Sequence, residues 1–339
     1  MSVSSSAQRG VFGYLPGLPD FVRVRAAARE VRCLEDWIDR GLQQARWEMR
    51  ADFDAAYKRL SHHFFFRADN SDFTLAGFFR ASFDAHGRPF PLVAFDQVPT
   101  HDWDHATTGL VSGSDLFFQD LLSLHVDVRH LSHVSQIHSR VLGSRVPVTL
   151  PAATDVVDAT LESVLRREGR YQNFLKDVTC AQLGRPETTE GADRCRDLVS
   201  LLSSGRDVSR DPRQLRFALE LPLMLAPQTR MLELRFYVEL ILSLMGDRKP
   251  TMTLIWQTGD KSTPGSALVA FRPPSIEIFA ALLRPGSSNR SLCCPGRDQP
   301  LATVTAAPAL AIVPSMELAD VLRESARLGH LLGSAGEGK

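Results

Sequence analysis

Histidine is the residue type whose number and spacing could most readily do chemistry in this sequence. Six histidines lie between residues 101 and 138, interleaved with aspartates. Imidazole and carboxylate groups bind a metal ion when three or four of them converge, and two of these histidines are spaced to share one helix face. Such a site would serve a His-dependent metal hydrolase acting on a small phosphorylated or ester substrate. The two are His130 and His133, and the others are His101, His105, His125 and His138.

The favoured interpretation of this cluster is a solvated, His-rich loop and helix face. The pattern His-Glu-x-x-His, which places two metal ligands one helical turn apart, is absent from the chain. We therefore expect neither a bound metal nor any other cofactor.

Two further motifs depart from known catalytic patterns. Residues 259–262 read Gly-Asp-Lys-Ser, similar to the end of a phosphate-binding P-loop, but Asp260 stands where a glycine is needed and would repel a phosphate. The vicinal pair Cys293 and Cys294 has no second Cys or His pair at ligand spacing. A Gly-x-Ser-x-Gly nucleophile elbow is also missing. The residues therefore predict a protein that is not an enzyme.

Length and composition narrow the class of protein. The chain has 339 residues, of which 44% are apolar and 23% charged, as in a globular fold. Its 39 Lys and Arg balance 39 Asp and Glu, which argues against a nucleic-acid partner because phosphate binding normally requires a basic surface. The aliphatic runs are shorter than the roughly 20 residues that cross a bilayer, and the N-terminus lacks a secretory signal. We therefore expect no direct membrane insertion. The five cysteines are scattered along a chain that is large enough to fold without disulfides, so we expect a cytoplasmic location.

Apolar periodicity predicts two helices near the start of the chain. Residues 31–49 repeat apolar side chains every three or four positions, which places one apolar stripe on a helix. Residues 53–64 repeat the same spacing after Asp52, a suitable N-cap residue. A bend is therefore expected at residues 50–52, between two helices that cover one layer.

Strand signals follow this pair of helices. Residues 75–82 and 90–95 are short and aromatic-rich, and the turn residues 84–87 between them predict a β-hairpin. Helical spacing resumes over residues 117–131, and this helix should end before Gly143.

The second half of the chain mixes both element types. Helices are expected over residues 155–167 and 231–245, and the latter is apolar on nearly every face and should be buried. Residues 251–257 and 267–271 predict a second hairpin, followed by a helix from Ser275.

Two stretches predict flexible connections, residues 184–191 and 203–212, because they are rich in Gly, Pro, Ser and charge. Strands mixed with helices indicate an α/β or an α+β layered fold.

Two segments carry more information than any of these motifs. Residues 10–22 read GVFGYLPGLPDFV and are followed by Trp37 and by Gly41-Leu42, and residues 82–92 read SFDAHGRPFPL. Their order and spacing resemble the TagF family, also called ImpM, of type VI secretion-associated proteins. Members typically show Gly-x-Leu-Pro-x-x-Gly-Asp-Phe, then a helix with Trp and Gly-Leu, then Ser-x-Asp-x-x-Gly-Arg-x-Phe-Pro-Leu.

The resemblance is firm over residues 9–95 and looser at residues 253–259 and 276–283. One departure is visible, since Pro19 stands where the family usually has a glycine before Asp20. Proline fixes φ near −65° and lacks an amide hydrogen, so this turn must differ if the family's glycine has a positive φ.

The resemblance implies an α/β fold, a layered αβα sandwich with a mixed sheet, extended here by C-terminal helices and a β-hairpin. It also implies a cytoplasmic, non-catalytic repressor that keeps a bacterial type VI secretion system inactive after translation. The implied partner is the forkhead-associated-domain scaffold protein of that system.

The motif residues are candidates for partner binding or for architecture. Turn and core chemistry explains most of them without a ligand. Arg88 could pair with Asp20 or with Asp84, and Gly87 is expected to have a positive φ. The candidates are Gly13, Leu15, Pro16, Asp20, Phe21, Trp37, Ser82, Asp84, Gly87, Arg88, Phe90 and Pro91.

The expected organisation has two principal parts between flexible tails. Residues 9–150 would form the TagF-like α/β domain. The mostly helical residues 151–330, which contain the hairpin 251–271, are either a separate region or part of the same fold. Residues 1–8 and 331–339 are expected to be tails.

Overall fold

The fold is built on one open sheet. The computed structural model describes residues 8–99, 118–144, 158–184, 189–203, 218–226, 228–245, 252–257, 259, 265–271, 273–284, 292–295 and 312–334. Its strands are β1 (Gln8–Gly13), β2 (Val22–Val24), β3 (Ser61–Phe66), β4 (Phe73–Arg80), β5 (Leu92–Pro99), β6 (Ala218–Leu223), β7 (Thr253–Gln257), β8 (Gly265–Ala270) and β9 (Leu292–Cys293).

The strands of the described residues form one sheet in the order β2-β1-β5-β4-β3-β7-β8-β6-β9. Neighbouring strands run antiparallel, except that β9 lies parallel to β6. The sheet is therefore mixed, as expected. The pairing of β3 with β7 places strands from both halves of the chain in the same sheet.

Helices cover both faces of this sheet. They are α1 (Arg29–Met49), α2 (Phe53–Tyr57), α3 (residues 118–129), α4 (Val134–Gly143), α5 (Asp158–Asp177), α6 (Glu190–Ser203), α7 (Arg230–Met245), α8 (Ile276–Leu283) and α9 (Leu318–Ser334). Short 3₁₀ turns occupy Arg50–Asp52 and Cys180–Leu183. Each helix of the described residues is too short or too polar to span a bilayer.

Strand alternation divides the apolar side chains between two cores. On β3, Phe64 and Phe66 enter the core shared with α1, α2 and α8, whereas Phe65 enters the core under α3 to α7 and α9. Successive side chains of a strand point to opposite faces, so a strand covered on both faces is apolar throughout. The αβα sandwich is thereby confirmed.

Helix α1 lies close to α8 because Gly41 has no side chain. A Cβ atom at Gly41 would lie 2.4 Å from the Cβ of Phe279, well inside van der Waals contact. The indole N–H of Trp37 donates to the Ser275 carbonyl at 3.0 Å, and its ring packs edge-on against Phe279. Two motif residues of the N-terminal half therefore hold a C-terminal helix in place.

The predicted bend and the predicted hairpins are confirmed, but the second helix was predicted too long. The 3₁₀ turn occupies the bend, and α2 ends at Tyr57 instead of continuing to residue 64. Residues 61–66 are strand β3, in which Phe64, Phe65 and Phe66 are all buried. A helix would have exposed one of these three phenylalanines, whereas a central strand buries all of them.

The helix predicted over residues 117–131 was also wrong at its end. Helix α3 stops at residue 129, and a separate α4 begins at Val134 and includes Gly143. Each helix buries its own apolar residues, Leu121 and Leu124 on α3 and Ile137 and Val141 on α4. The break lets two short stripes reach the core along different directions.

Smaller differences concern ends and connections. Gln8, expected in a flexible tail, begins strand β1. Helix α5 continues to Asp177 rather than ending at residue 167. Helix α6 begins at Glu190, inside a stretch expected to be a connection. Residues 331–334, expected in a tail, belong to α9. The rest of both predicted connections lies largely outside the described residues.

Burial of histidine on β3 predicts acid sensitivity. His62 is 2% exposed and stacks on Phe79, and within the described residues neither ring nitrogen has a hydrogen-bond partner. Burial, with a smaller contribution from His63, lowers the pKa of His62 from 6.5 to about 3. A lowered pKa in the folded state means that His62 favours folding above pH 6.5 and opposes it as the pH falls towards 3.

We therefore expect His62→Leu to flatten the pH dependence of stability. Between pH 7 and pH 5, the free energy of unfolding should fall by about 2 kcal/mol less in this variant than in the wild type. Urea denaturation at the two pH values measures the difference. The same change at the exposed His86 is the control, and an equal pH dependence in all three proteins would contradict the assignment.

Candidate functional site

The two motif segments meet at one end of the sheet. Strands β1 and β5 pair antiparallel with Phe12 opposite Val93, so the loop after β1 and the loop before β5 emerge side by side. Gly13 has φ +128°, and a Cβ there would lie 2.1 Å from the Pro91 carbonyl oxygen. Only glycine permits this backbone approach. We call residues 14–21 and 81–91 the motif clasp.

Asp84 is the hydrogen-bonding centre of the motif clasp. Its carboxylate accepts the backbone N–H groups of His86 at 2.9 Å and Arg88 at 2.7 Å, and also the Nε–H of Arg88. The Arg88 guanidinium then donates from Nη2 to the Pro19 carbonyl at 2.7 Å. Across the same junction, the Ala85 amide donates to the Leu18 carbonyl. One acid and one base thereby join the two loops.

These contacts set the charges of the clasp. The Asp84 side chain has no exposed surface but lies directly beneath the protein surface, and the Arg88 side chain is 57% exposed. Desolvation alone would raise the pKa of Asp84, but hydrogen bonds from the Arg88 backbone and guanidinium outweigh it and hold this pKa below its ordinary value. The hydrogen bond to Asp84 raises the pKa of Arg88. The ion pair that the sequence left open is therefore Arg88 with Asp84.

An aromatic cluster lies under the clasp. Phe12, Tyr14, Phe21 and Phe90 have ring centroids 4.9 to 6.4 Å apart, mostly in tilted or edge-to-face arrangements. Edge-to-face aromatic pairs add stabilisation beyond their buried area. The guanidinium of Arg88 also lies 5.3 Å from the Tyr14 ring centroid. The clasp therefore rests on a packed base rather than on a mobile loop.

Tyr57 connects the clasp to α2. Its hydroxyl donates to the Ser82 carbonyl at 2.8 Å and accepts from the Ser82 amide at 3.2 Å. Burial raises the pKa of Tyr57, so the hydroxyl keeps its proton and its donor role. The sequence analysis did not identify Tyr57 or the Leu18 carbonyl. Their roles depend on long-range contacts that no local spacing encodes.

The structure brings all but one of the candidate motif residues together. Trp37 lies apart, on α1, against α8. Pro19, the departure from the family pattern, contributes its carbonyl oxygen, which proline retains. The residues in or beside the clasp are Gly13, Leu15, Pro16, Asp20, Phe21, Ser82, Asp84, Gly87, Arg88, Phe90 and Pro91.

The histidine cluster does not form the arrangement that a shared helix face requires. His130 lies in the turn after α3, and His133 is the N-cap residue of α4, so the two do not share one helix. His125 is buried. Within the described residues, no group of three or more His, Cys, Asp or Glu side chains could hold a metal ion. His101 and His105 lie outside the described residues.

The other two motifs are placed only in part. Residues 260–262 of the Gly-Asp-Lys-Ser segment lie outside the described residues. Cys293 belongs to β9, and the Cys294 thiol donates to the Glu220 carboxylate at 3.2 Å. This pair is therefore engaged within the sheet edge.

The protein is therefore an αβα sandwich. At one end of its sheet, the two loops of the motif clasp form a single surface. Residues 10–142 match the family model described as TagF N-terminal domain, type VI secretion system-associated. The resemblance drawn from the motifs is therefore confirmed over this stretch of the chain. The looser segments, residues 253–259 and 276–283, lie beyond the match.

Two further comparisons were made. The chain is similar to the crystal structure of PA0076 from Pseudomonas aeruginosa PAO1, with 23% sequence identity over 48% of this chain and 78% of that one, at a TM-score of 0.37. No curated protein matches the chain.

The turn of the clasp provides a test of backbone strain. Gly87 has φ +79°, and a Cβ there would meet no atom within 4 Å. Any loss of stability on substitution of Gly87 therefore reflects its backbone conformation rather than a steric clash. Gly87→Ala should destabilise the fold by about 1 kcal/mol, since side chains disfavour this backbone region. Thermal unfolding measures the change.

Gly143→Ala is the matched control, because that glycine also has open space but lies at the end of α4 without a positive φ. It should be neutral or slightly stabilising. Equal losses in both variants would show that the clasp turn is not conformationally demanding.

The hydrogen bonds of the clasp predict that replacing Asp84 and replacing Arg88 will lower the stability of the fold by different amounts. Asp84→Ala leaves two backbone N–H groups without their acceptor, whereas Arg88→Ala leaves those two bonds in place. We expect Asp84→Ala to lower the melting temperature clearly more than Arg88→Ala does. Arg88 would then contribute to the loop junction without controlling the turn.

The depressed pKa of Asp84 gives the same test a pH dependence. The stabilisation should be present above the ordinary pKa of 3.8 and be lost as the pH falls below it. An Arg88→Ala loss as large as that of Asp84→Ala would contradict this division of roles and make the arginine a structural ion-pair member.

Proposed function

We propose that this chain is a non-enzymatic, post-translational repressor of a bacterial type VI secretion system. It acts in the cytoplasm by binding another protein, and the partner is the forkhead-associated-domain scaffold protein of that system. The observation that carries the proposal is that the family-matched residues 10–142 contain both halves of the motif clasp.

The shape and composition of the clasp favour binding to a macromolecule. Its outer surface presents Pro16, Asp20, His86 and Arg88, all of them exposed. Beneath them, the hydrogen bonds of Asp84 and the aromatic cluster fix the backbone. A preorganised surface loses less conformational entropy on association than a mobile one. Two loops whose shape is held in this way suit the recognition of a folded partner.

Charge supports the same interpretation. Arg88 and Asp20 bring opposite charges to one small surface, and the neighbouring aromatic residues Tyr14 and Phe21 are partly buried. Interfaces typically combine such a mixed polar rim with aromatic and arginine side chains at the centre. The clasp therefore offers orientation and specificity to a partner.

The proposal predicts a change in secretion. Deleting the gene should raise the amount of secreted tube protein, because a repressor is removed, and overexpression should suppress it. Immunoblotting of culture supernatants against cell lysates measures both. Unchanged secretion in both strains would exclude the regulatory role.

Surface variants then test the binding face. Asp20→Ala combined with His86→Ala removes two exposed side chains while the Asp84 hydrogen bonds remain. If the clasp binds the forkhead-associated-domain protein, this variant should bind it at least about fivefold more weakly, at an unchanged melting temperature. Isothermal titration calorimetry measures the affinity.

Asp36→Ala combined with Arg40→Ala is the matched control, since it removes an exposed acid and base that pair with each other on α1. Control and clasp variants that bind equally well would assign the partner to another surface. No binding by the wild-type chain would remove this partner from the proposal.

A further inference from the structure

A second site lies beside the clasp, where its first loop meets α3. It is a cavity of about 310 Å³. Gly17 approaches the turn after α3, with Leu131 and Ser132 as its nearest neighbours, so the clasp forms one wall. The cavity is lined by Pro16, Arg80, His125, Val126, Arg129 and His130.

Among the described residues, the lining is cationic. Arg80 at the end of β4 and Arg129 at the end of α3 both line the cavity, and no described carboxylate does. Within the described part of the chain, neither arginine side chain forms an ion pair or a hydrogen bond. The neighbouring Arg140 differs, since its guanidinium is held by Asp127 at 2.5 Å. Two unpaired guanidinium groups at one cavity repel each other and favour an anion between them.

His125 is the buried member of the lining. Its residue is 1% exposed and both of its ring nitrogens are buried, so the ring offers no donor to a ligand in the cavity. The ring packs edge-on against Phe78, which fixes its plane.

The charge state of His125 leaves the two arginines as the cations of the cavity lining. Burial lowers the pKa of His125 to about 4, assisted by the charges of Arg80 and Arg129 and opposed by a smaller contribution from a hydrogen bond with the Leu92 backbone. At neutral pH the ring is therefore uncharged and adds no third full charge to the cavity.

We propose that this cavity binds a phosphate group, either as the free ion or as the monoester of a small molecule. The Arg80 and Arg129 guanidinium groups would bind the phosphate oxygens. Guanidinium groups match the oxygen spacing of phosphate and bind it bidentately. The apolar side chains of Pro16 and Val126 leave room for the carbon substituent of a monoester.

Calorimetric titration of the purified full chain tests the site. Inorganic phosphate and O-phosphoserine are the two probes, at pH 7.5 and constant ionic strength. We expect saturable one-site binding of at least one of them below about 10 mM, and at least about tenfold weaker binding by the Arg80→Ala/Arg129→Ala variant. Both arginines are exposed, so this variant should fold, which its melting temperature checks.

Arg40→Ala is the control, because Arg40 is an exposed arginine on α1 that pairs with Asp36 and lies away from the cavity. It should bind like the wild type. Side-chain NMR of histidine gives a second readout, in which the His125 ring resonances shift with phosphate in the wild type. Equal affinities for the two probes identify the free ion as ligand, whereas tighter binding of O-phosphoserine identifies a monoester.

Three results would overturn the proposal. They are no saturation by either probe, undiminished binding by the double arginine variant, and acetate binding as tight as phosphate binding. None of them bears on secretion or on the forkhead-associated-domain protein, so the two proposals fail separately.

Discussion

The buried ion pair between Arg9 and Asp96 fixes the register on which both sites depend. The two residues are direct partners in the β1–β5 pairing, and two parallel hydrogen bonds of 2.8 Å join the guanidinium to the carboxylate. Both side chains are fully buried. A shift of one residue would point them to opposite faces of the sheet and leave two buried charges unpaired, at a large cost. The loop after β1 and the loop before β5 are therefore held side by side at the same end of the sheet, as the motif clasp requires.

The same arginine positions the cavity. A further hydrogen bond, from Nη1, reaches Asp120 on α3 at 2.5 Å, so the helix is anchored directly to the sheet. His125 and Arg129 lie further along α3, and its position brings them to Arg80 and to the clasp. The clasp and the cavity beside it thus share one support. The N-terminal strands also need the C-terminal half, because β7 covers the edge that β3 would otherwise expose to aggregation.

The sequence alone predicted what local spacing encodes. Helices α1 and α7, both hairpins, the bend at residues 50–52 and the layered fold class followed from periodicity, turn residues and two motifs. Within the candidate site, the turn with a positive φ at Gly87 was predictable because glycine is the residue that adopts it without strain. The motif order also indicated the family, which the match over residues 10–142 confirmed.

Tertiary structure decided whatever depends on residues distant in sequence. Strand β3 could not be distinguished from a helix by its spacing, because a strand buried on both faces is apolar throughout and loses the alternating pattern. The choice of Asp84 over Asp20 as partner of Arg88 was made by the fold of the loops, and so was the contact of Arg88 with the Pro19 carbonyl. His130 and His133 do not share a helix because α3 ends at residue 129 and α4 begins only at Val134. Local periodicity records which face of an element is buried, whereas side chains from separate elements meet only after the strands have paired.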